Sequence, residues 1–276
     1  MGVNFSALYA YYLASPVNWL LFLCPSGLVI EFMTILIVLK TALAGVSFTW
    51  YLRRHCRRMD FGSGLFGIFY ALSGYMAAYS WNIMWLDCIV LFPLILWGLE
   101  RLVEEGRGKS YCITLGLSIL SNYYISIMIC IFMVIYVIAR VIITPPKGAL
   151  GWLKTAGRFA LYSALAGGLA AAVLLPAVFA LQVTASGDFN FPGTLSSYFS
   201  IFDMIARHIG NVGTEIGLDH WPNIYCGVAV LLFFLLYIGS RRISAREKVV
   251  YCGLLLLFYA SFSTNVLNFI WHGFHY

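Results

Sequence analysis

The sequence contains very little charge for its length. Only 10% of its 276 residues are Asp, Glu, Lys or Arg, and 62% are hydrophobic, whereas soluble domains carry about 25% charged residues. A surface so poor in charge would aggregate in water, which excludes a soluble domain. The mean hydropathy of +0.87 instead indicates lipid as the main solvent.

The sequence also lacks the spacings that make cysteine a structural ligand. Its seven cysteines are scattered, mostly within apolar runs, and no CxxC or CxxH pair occurs. We therefore expect neither a structural metal nor a disulfide framework. A basic stripe interleaved with aromatic residues is missing as well, so the net charge of +6 does not predict a nucleic-acid partner.

What basic residues there are follow a simple pattern. All but two of the 17 fall in four clusters at the ends of apolar runs. The clusters are Arg53/Arg54/Arg57/Arg58, Arg101/Arg107/Lys109, Arg140/Lys147/Lys154/Arg158 and Arg241/Arg242/Arg246/Lys248. Lys and Arg accumulate in cytoplasmic loops of multi-spanning proteins, so we expect these loops inside and predict a lipid bilayer as partner. The two exceptions are Lys40 and Arg207.

A spanning helix needs about 20 mostly apolar residues, and the basic clusters fix the direction of each run. Residues 110–144 carry basic residues at both ends, so a hairpin turning near Asn122 keeps both ends inside. The predicted fold is an all-α polytopic transmembrane bundle of about eight spans, one domain over 1–276 with both termini outside. The spans are 28–52, 61–79, 88–102, 110–121, 124–143, 159–183, 224–239 and 249–262.

Two polar stretches fall on the outer side of this scheme. Residues 5–25 are aromatic-rich but too short to span, and predict two interfacial helices broken at Ser15-Pro16. Residues 184–223 predict an outer loop containing an amphipathic helix over 195–209. Most of the histidines lie on this side, so any aqueous active site is expected to face outward.

Several segments, in order along nearly the whole chain, resemble the bacterial YfhO family of multi-spanning membrane proteins. These are Tyr11-Tyr12-Leu13-Ala14-Ser15-Pro16-Val17-Asn18, Leu39-Lys40, Tyr70-Ala71-Leu72-Ser73-Gly74-Tyr75, Trp85-Leu86-Asp87, Pro93-Leu94, Asn122-Tyr123-Tyr124 and Trp271-His272-Gly273-Phe274-His275. The resemblance implies a GT-C-like glycosyltransferase of the bacterial cytoplasmic membrane. Its donor would be a sugar on a polyprenyl phosphate, and its acceptor a cell-wall polymer such as lipoteichoic acid at the outer face.

The chain departs from the family pattern at its ends. Family members are longer on both sides, and an earlier outer loop carries their expected catalytic acid. We therefore expect a fragment lacking both ends, in which no residue matches that acid. A transporter or lipid flippase, and a non-catalytic membrane scaffold, remain as alternative functions.

Glycosyl transfer needs a base for the acceptor hydroxyl and a cation for the departing phosphate. Asp87 is our candidate catalytic residue, with Trp81, Asn82 and Trp85 beside it as substrate contacts. Its alternatives are a simple helix cap or a metal contact. Lys40, deep in a span, could meet the lipid phosphate, or could pair with a buried acid or backbone carbonyl.

The remaining candidates are weaker. Arg207 could hold the donor phosphate or contact lipid headgroups. Asn122 and Tyr123 could face the sugar, although a turn with interfacial tyrosines is favoured. His272 could share a helix face with His275.

No cofactor is predicted from the sequence. A divalent cation is left open at Glu215, Asp219 and His220, where a solvated loop is the favoured interpretation because the spacing matches no metal motif.

Overall fold

The structure is a computed structural model that describes residues 5–58, 60–182, 191–210, 213–216 and 221–274. These residues are helical with connecting turns, and the one β-type pairing among them is an isolated bridge between Ser197 and Thr264. The predicted all-α membrane bundle is confirmed. The helices are α1 (Phe5–Leu8), α2 (Val29–His55), α3 (Phe61–Ala71), α4 (Gly74–Tyr79), α5 (Leu86–Glu105), α6 (Lys109–Ser121), α7 (Tyr123–Ile143), α8 (Gly148–Leu169), α9 (Ala171–Leu181), α10 (Ile201–Ala206), α11 (Val228–Gly239), α12 (Ala245–Ser263) and α13 (Asn265–Trp271).

By length and composition, three helical segments of the described chain can cross a membrane: Ser26–His55, Phe61–Tyr79 and Tyr123–Ile143. A fourth is possible if α8 and α9, which meet at an angle of 82°, form one bent span. Helix α6 has 13 residues and is about 20 Å long, less than the hydrocarbon thickness of about 30 Å. The predicted total of eight stays a prediction for α5, α6, α11 and α12.

Helix α5 lies at the centre of the bundle, against α2, α6, α7 and α8. Its buried residues Cys88, Ile95, Leu99 and Leu102 recur every three, four or seven positions, which places them on one helix face. Large apolar side chains on the outside of α2, α8 and α11 are exposed, as lipid-facing surfaces are.

Helices α6 and α7 meet at Asn122, as the charge pattern of 110–144 predicts. The span predicted over 159–183 belongs to a longer helical segment in the structure. Helix α8 begins at Gly148 and breaks at Ala170. Lys154 and Arg158 are compatible with a helix, so a basic segment alone does not mark where a helix begins.

The amphipathic helix predicted over 195–209 is shorter in the structure. Helix α10 begins after Ser200, whose hydroxyl accepts the backbone N–H of Asp203 while the Asp203 carboxylate accepts the backbone N–H of Ser200. This capping box fixes the helix start. Hydrogen bonds from Ser200 hold the pKa of the Asp203 carboxyl below its usual value.

Residues 5–28 form short helical segments. A single α-helical turn continues as a π-helical turn over Tyr9–Leu13, and two 3₁₀ segments follow at Asn18–Leu23 and Ser26–Leu28. The break between Leu13 and Asn18 contains Ser15-Pro16, and the backbone N–H of Asn18 lies 3.4 Å from the Ser15 hydroxyl.

Candidate functional site

The two charged residues that the sequence analysis singled out separately form one ion pair. Lys40 is on α2 and Asp87 is in the first turn of α5, two helices that pack side by side. The Lys40 Nζ lies 2.6 Å from the Asp87 Oδ2, and the side chains are only 1% and 7% exposed. The structure therefore shows Lys40 paired with a buried acid, which is one of the roles predicted for it.

Further hydrogen bonds join this pair to the N-terminal segment. The Ser15 hydroxyl donates to the Asp87 Oδ2 at 2.6 Å. Lys40 also donates to the Asn18 side-chain carbonyl at 2.6 Å and to the Ile83 backbone carbonyl at 3.1 Å. We call Ser15, Asn18, Lys40 and Asp87 the polar cluster; it ties residues 15–18 to the bundle.

Sequence reasoning did not identify Ser15 and Asn18 as site residues. A signal was present, because both belong to the Ser15-Pro16-Val17-Asn18 segment that carries the family resemblance. A serine and an asparagine separated by a proline and an apolar residue are usually explained by local capping, and nothing local shows that a distant lysine needs their oxygens.

The other residues near Asp87 differ in environment. Trp81 is exposed and donates its indole N–H to the Ala78 carbonyl at 2.9 Å. Asn82 is buried, and its Nδ2 has no hydrogen-bond partner among the described residues. Trp85 packs its ring against Tyr79 and Tyr124, at centroid distances of 6.0 and 6.1 Å.

Asn122 begins α7 and also holds the N-terminal segment. Its side-chain oxygen accepts the backbone N–H of Ile125 at 2.9 Å, and its Nδ2 donates to the Tyr11 carbonyl at 3.0 Å. Tyr123 packs its ring against Tyr11 at 6.0 Å. Both predicted residues therefore contact the segment that precedes the polar cluster.

We expect Asn122→Ala to lower the free energy of unfolding by about 1–3 kcal/mol, because it removes a helix cap and takes away the donor that hydrogen-bonds to the backbone carbonyl of Tyr11. Asn122→Ser retains a capping oxygen and should lose less. Titration of the protein in mild detergent with sodium dodecyl sulfate would measure both. Equal stability of wild type and Asn122→Ala would contradict this role.

An aromatic cavity of about 880 Å³ opens near the junction of α4, α12 and α13. Of the predicted site residues, His272 lines it, and the His272 ring lies 6.0 Å from that of Tyr124. Its lining combines aromatic rings with amide groups. The lining residues are Ser73, Tyr75, Tyr79, Tyr198, Phe199, Trp221, Pro222, Asn223, Ile224, Tyr225, Cys226, Phe262, Asn268 and His272.

Arg207 supports one wall of the aromatic cavity. The guanidinium is 6% exposed and donates to the Glu215 carboxylate and to the Asn223 side-chain oxygen, both at 3.1 Å. It also donates to the backbone carbonyls of Pro222 and Gly213. These bonds hold Pro222 and Asn223 in the cavity lining, and the donor-phosphate role of Arg207 stays a prediction.

The candidate cation ligands are only partly within the described residues. Glu215 is bonded to Arg207, whereas Asp219 and His220, like His275, lie outside the described residues. In the part of the chain that the structure describes, no group of three or more His, Cys, Asp or Glu side chains is arranged to hold a metal ion.

A second cavity, of about 1160 Å³, lies at the other end of the bundle and is lined by seven arginines and four glutamates. We call it the arginine cavity. Helix α12 reaches both cavities, with Glu247 at one and Phe262 at the other. At a rise of about 1.5 Å per residue these positions are about 22 Å apart.

Comparison with known proteins agrees with the resemblance noted in the sequence. The family described as "Bacterial membrane protein YfhO" matches residues 1–276. An uncharacterized protein YfhO of Bacillus subtilis (strain 168) is 24% identical over 195 residues, which cover 65% of this chain and 22% of that protein. The chain thus spans about a fifth of that relative's length, and no solved structure matches it. With a family match over the whole chain and a bundle of apolar helices, the chain belongs to the YfhO family of bacterial membrane proteins.

Proposed function

We propose that this chain is the larger part of the membrane domain of a glycosyltransferase. The donor is a sugar carried on a polyprenyl phosphate, and the acceptor is a cell-wall polymer such as lipoteichoic acid at the outer face of the membrane. The observation that carries the proposal is the aromatic cavity at the end of the bundle opposite the arginine cavity.

The lining of the aromatic cavity suits a sugar. Rings of Tyr75, Tyr79 and Trp221 offer flat apolar faces for the C–H side of a pyranose, and the amide of Asn268 can donate and accept hydrogen bonds. A volume of about 880 Å³ lies within the usual range for small-molecule sites.

The proposed reaction is a single displacement or its dissociative equivalent. The acceptor hydroxyl oxygen bonds to the anomeric carbon while the bond from that carbon to the phosphate oxygen breaks. The polyprenyl phosphate leaves with the bonding electron pair, and a base takes the hydroxyl proton. The family resemblance implies an acid on an outer loop as this base, and no residue of this chain matches that acid.

The catalytic role predicted for Asp87 stays a prediction. Its Oδ2 already accepts hydrogen bonds from Lys40 and Ser15, which supports a positioning role. Trp85, two residues before Asp87, packs its ring against Tyr79, and Tyr79 lines the aromatic cavity. The same bonds fix the N-terminal segment over the bundle.

We expect Trp221→Ala to lower kcat/KM for sugar transfer about tenfold, because truncating a tryptophan in a binding site commonly costs this much or more. The assay uses the full-length protein that contains this chain, in liposomes, with a radiolabelled polyprenyl-phosphate sugar and an outer-face acceptor. The matched control is Trp152→Ala, since Trp152 on α8 is 45% exposed, Trp221 is 41% exposed, and Trp152 does not line the cavity.

Transfer that falls in Trp221→Ala and persists in Trp152→Ala would support the proposal. If the complete protein transfers no sugar with any suitable lipid donor, the proposal is wrong. If transfer occurs and both variants behave alike, the reaction does not use the aromatic cavity.

A transporter or lipid flippase is the second candidate, and one observation favours it. Helices α8 and α9 meet at 82°, and broken helices often line transport sites. Movement of the labelled lipid across sealed vesicles without any covalent product would favour this function over transfer.

A further inference from the structure

The arginine cavity has more positive charge than its own acids can neutralise. Three of its four glutamates already have a charged partner or a histidine beside them. Glu105 contacts Arg101 and Arg107 at 3.2 Å, Glu104 contacts Arg140, and Glu100 lies 2.8 Å from His55.

The four arginines at the end of α2 have no carboxylate partner among the described residues. Among the described residues, Arg53, Arg54, Arg57 and Arg58 form no ion pair with a carboxylate, and all four are exposed while lining the cavity. Arg57 has a φ of 53°, a left-handed conformation that is uncommon for a residue other than glycine. Guanidinium groups converging on one cavity create a strong local field for anions.

Two tryptophans hold part of this positive charge in a fixed position. Trp50 and Trp97 pack edge to face at 4.8 Å. The Arg54 guanidinium lies over the Trp50 ring at 5.3 Å, and the Arg101 guanidinium lies over the Trp97 ring at 4.8 Å. Tryptophan prefers the headgroup level of a membrane, where lipid phosphates are concentrated.

A buried group in the cavity wall also lacks part of its hydrogen bonding. Arg140 is 8% exposed, and its Nε has no partner among the described residues although its terminal nitrogens reach Glu104 and Tyr251. A buried donor without an acceptor costs about 1–3 kcal/mol, and an anionic oxygen in the cavity is the kind of group that would satisfy it.

We propose that the arginine cavity binds a phosphate-bearing anion, with a phosphate mono- or diester as the recognised group. Charged arginines bind phosphate oxygens in pairs, and basic pockets between membrane helices on the cytoplasmic side bind lipid headgroups. The group can come from an anionic phospholipid or from a soluble phosphate, and neither source depends on the proposed glycosyl transfer.

The test uses the purified full-length protein in neutral detergent, where no bilayer surface contributes its own potential. Native mass spectrometry counts bound phosphatidylglycerol, with phosphatidylcholine as the zwitterionic comparison. Separate titrations with inorganic phosphate and pyrophosphate follow displacement of the lipid. The test variant is Arg57→Gln/Arg58→Gln. The matched control is Arg241→Gln/Arg242→Gln, which removes the same charge from a basic loop that does not line the cavity.

We expect one phosphatidylglycerol per protein, bound about tenfold more weakly by the test variant and unchanged in the control. Displacement by millimolar inorganic phosphate or pyrophosphate would identify the soluble anion as the source, whereas persistence of the lipid would identify the headgroup. Absence of saturable binding of any of these anions, or equal weakening in both double variants, would overturn the proposal.

Discussion

Replacing Lys40 by methionine is expected to lower the free energy of unfolding by about 3–5 kcal/mol, the usual cost of removing one partner of a buried ion pair. The loss arises because Asp87, 6% exposed, would lose its cationic partner and retain only the Ser15 hydroxyl beside it. Asn18 and the Ile83 carbonyl would lose their donor at the same time. Sodium dodecyl sulfate titration of the protein in mild detergent measures this change.

Two further variants separate charge from packing. Lys40→Met/Asp87→Leu removes both charges, so we expect it to recover a large part of the stability that Lys40→Met loses. Lys154→Met removes an exposed lysine from α8 and should change stability by less than about 0.5 kcal/mol. A double variant less stable than Lys40→Met would show that the pair does not bear the energy assigned to it.

The second large effect is expected at Gly98, where α5 packs directly against the backbone of α6. A Cβ added at Gly98 would lie 2.6 Å from both the Cα and the backbone nitrogen of Tyr111. Backbone atoms cannot rotate away, and Tyr111 is itself buried, with its hydroxyl 3.0 Å from the Ser163 hydroxyl. We therefore expect Gly98→Ala to force the helices apart and lower the free energy of unfolding by about 3 kcal/mol.

Replacing glycine by alanine at Gly157 should not lower the free energy of unfolding as it does at Gly98. Gly157 lies on α8 with no atom within 4 Å of an added Cβ, and alanine is favoured over glycine within a helix by about 1 kcal/mol. Gly157→Ala is therefore expected to be neutral or stabilising in the same titration. Equal losses at Gly98 and Gly157 would mean that the crossing of α5 and α6 is not as close as described.

The helical plan of this protein could be predicted from its sequence, since apolar runs and basic clusters are local signals. They located α2, α5 and the hairpin of α6 and α7, including its turn at Asn122. Local signals were insufficient where a helix continues through charged residues, as α8 does from Gly148. They also failed at α10, where the capping box at Ser200 makes the helix start later in the sequence than predicted.

The candidate site was predictable as separate residues and not as an arrangement. Lys40 and Asp87 were each unusual in their local context, because charge next to an apolar helix demands a partner. That they are each other's partner depends on α2 packing against α5, a contact between residues 47 positions apart. The aromatic cavity has the same origin, since it combines residues from 73–79, 198–199, 221–226 and 262–272.

The buried pair has a consequence for how the chain enters the membrane during synthesis. Lys40 precedes Asp87 by 47 residues, so α2 is synthesised before the carboxylate that will neutralise its lysine. A lysine in the centre of an isolated helix opposes insertion by about 2.5–3.5 kcal/mol, whereas each Leu, Ile, Phe or Val favours it by about 0.3–0.6 kcal/mol. The apolar residues of α2 must therefore bring it into the bilayer unaided, and the ion pair stabilises only the assembled bundle.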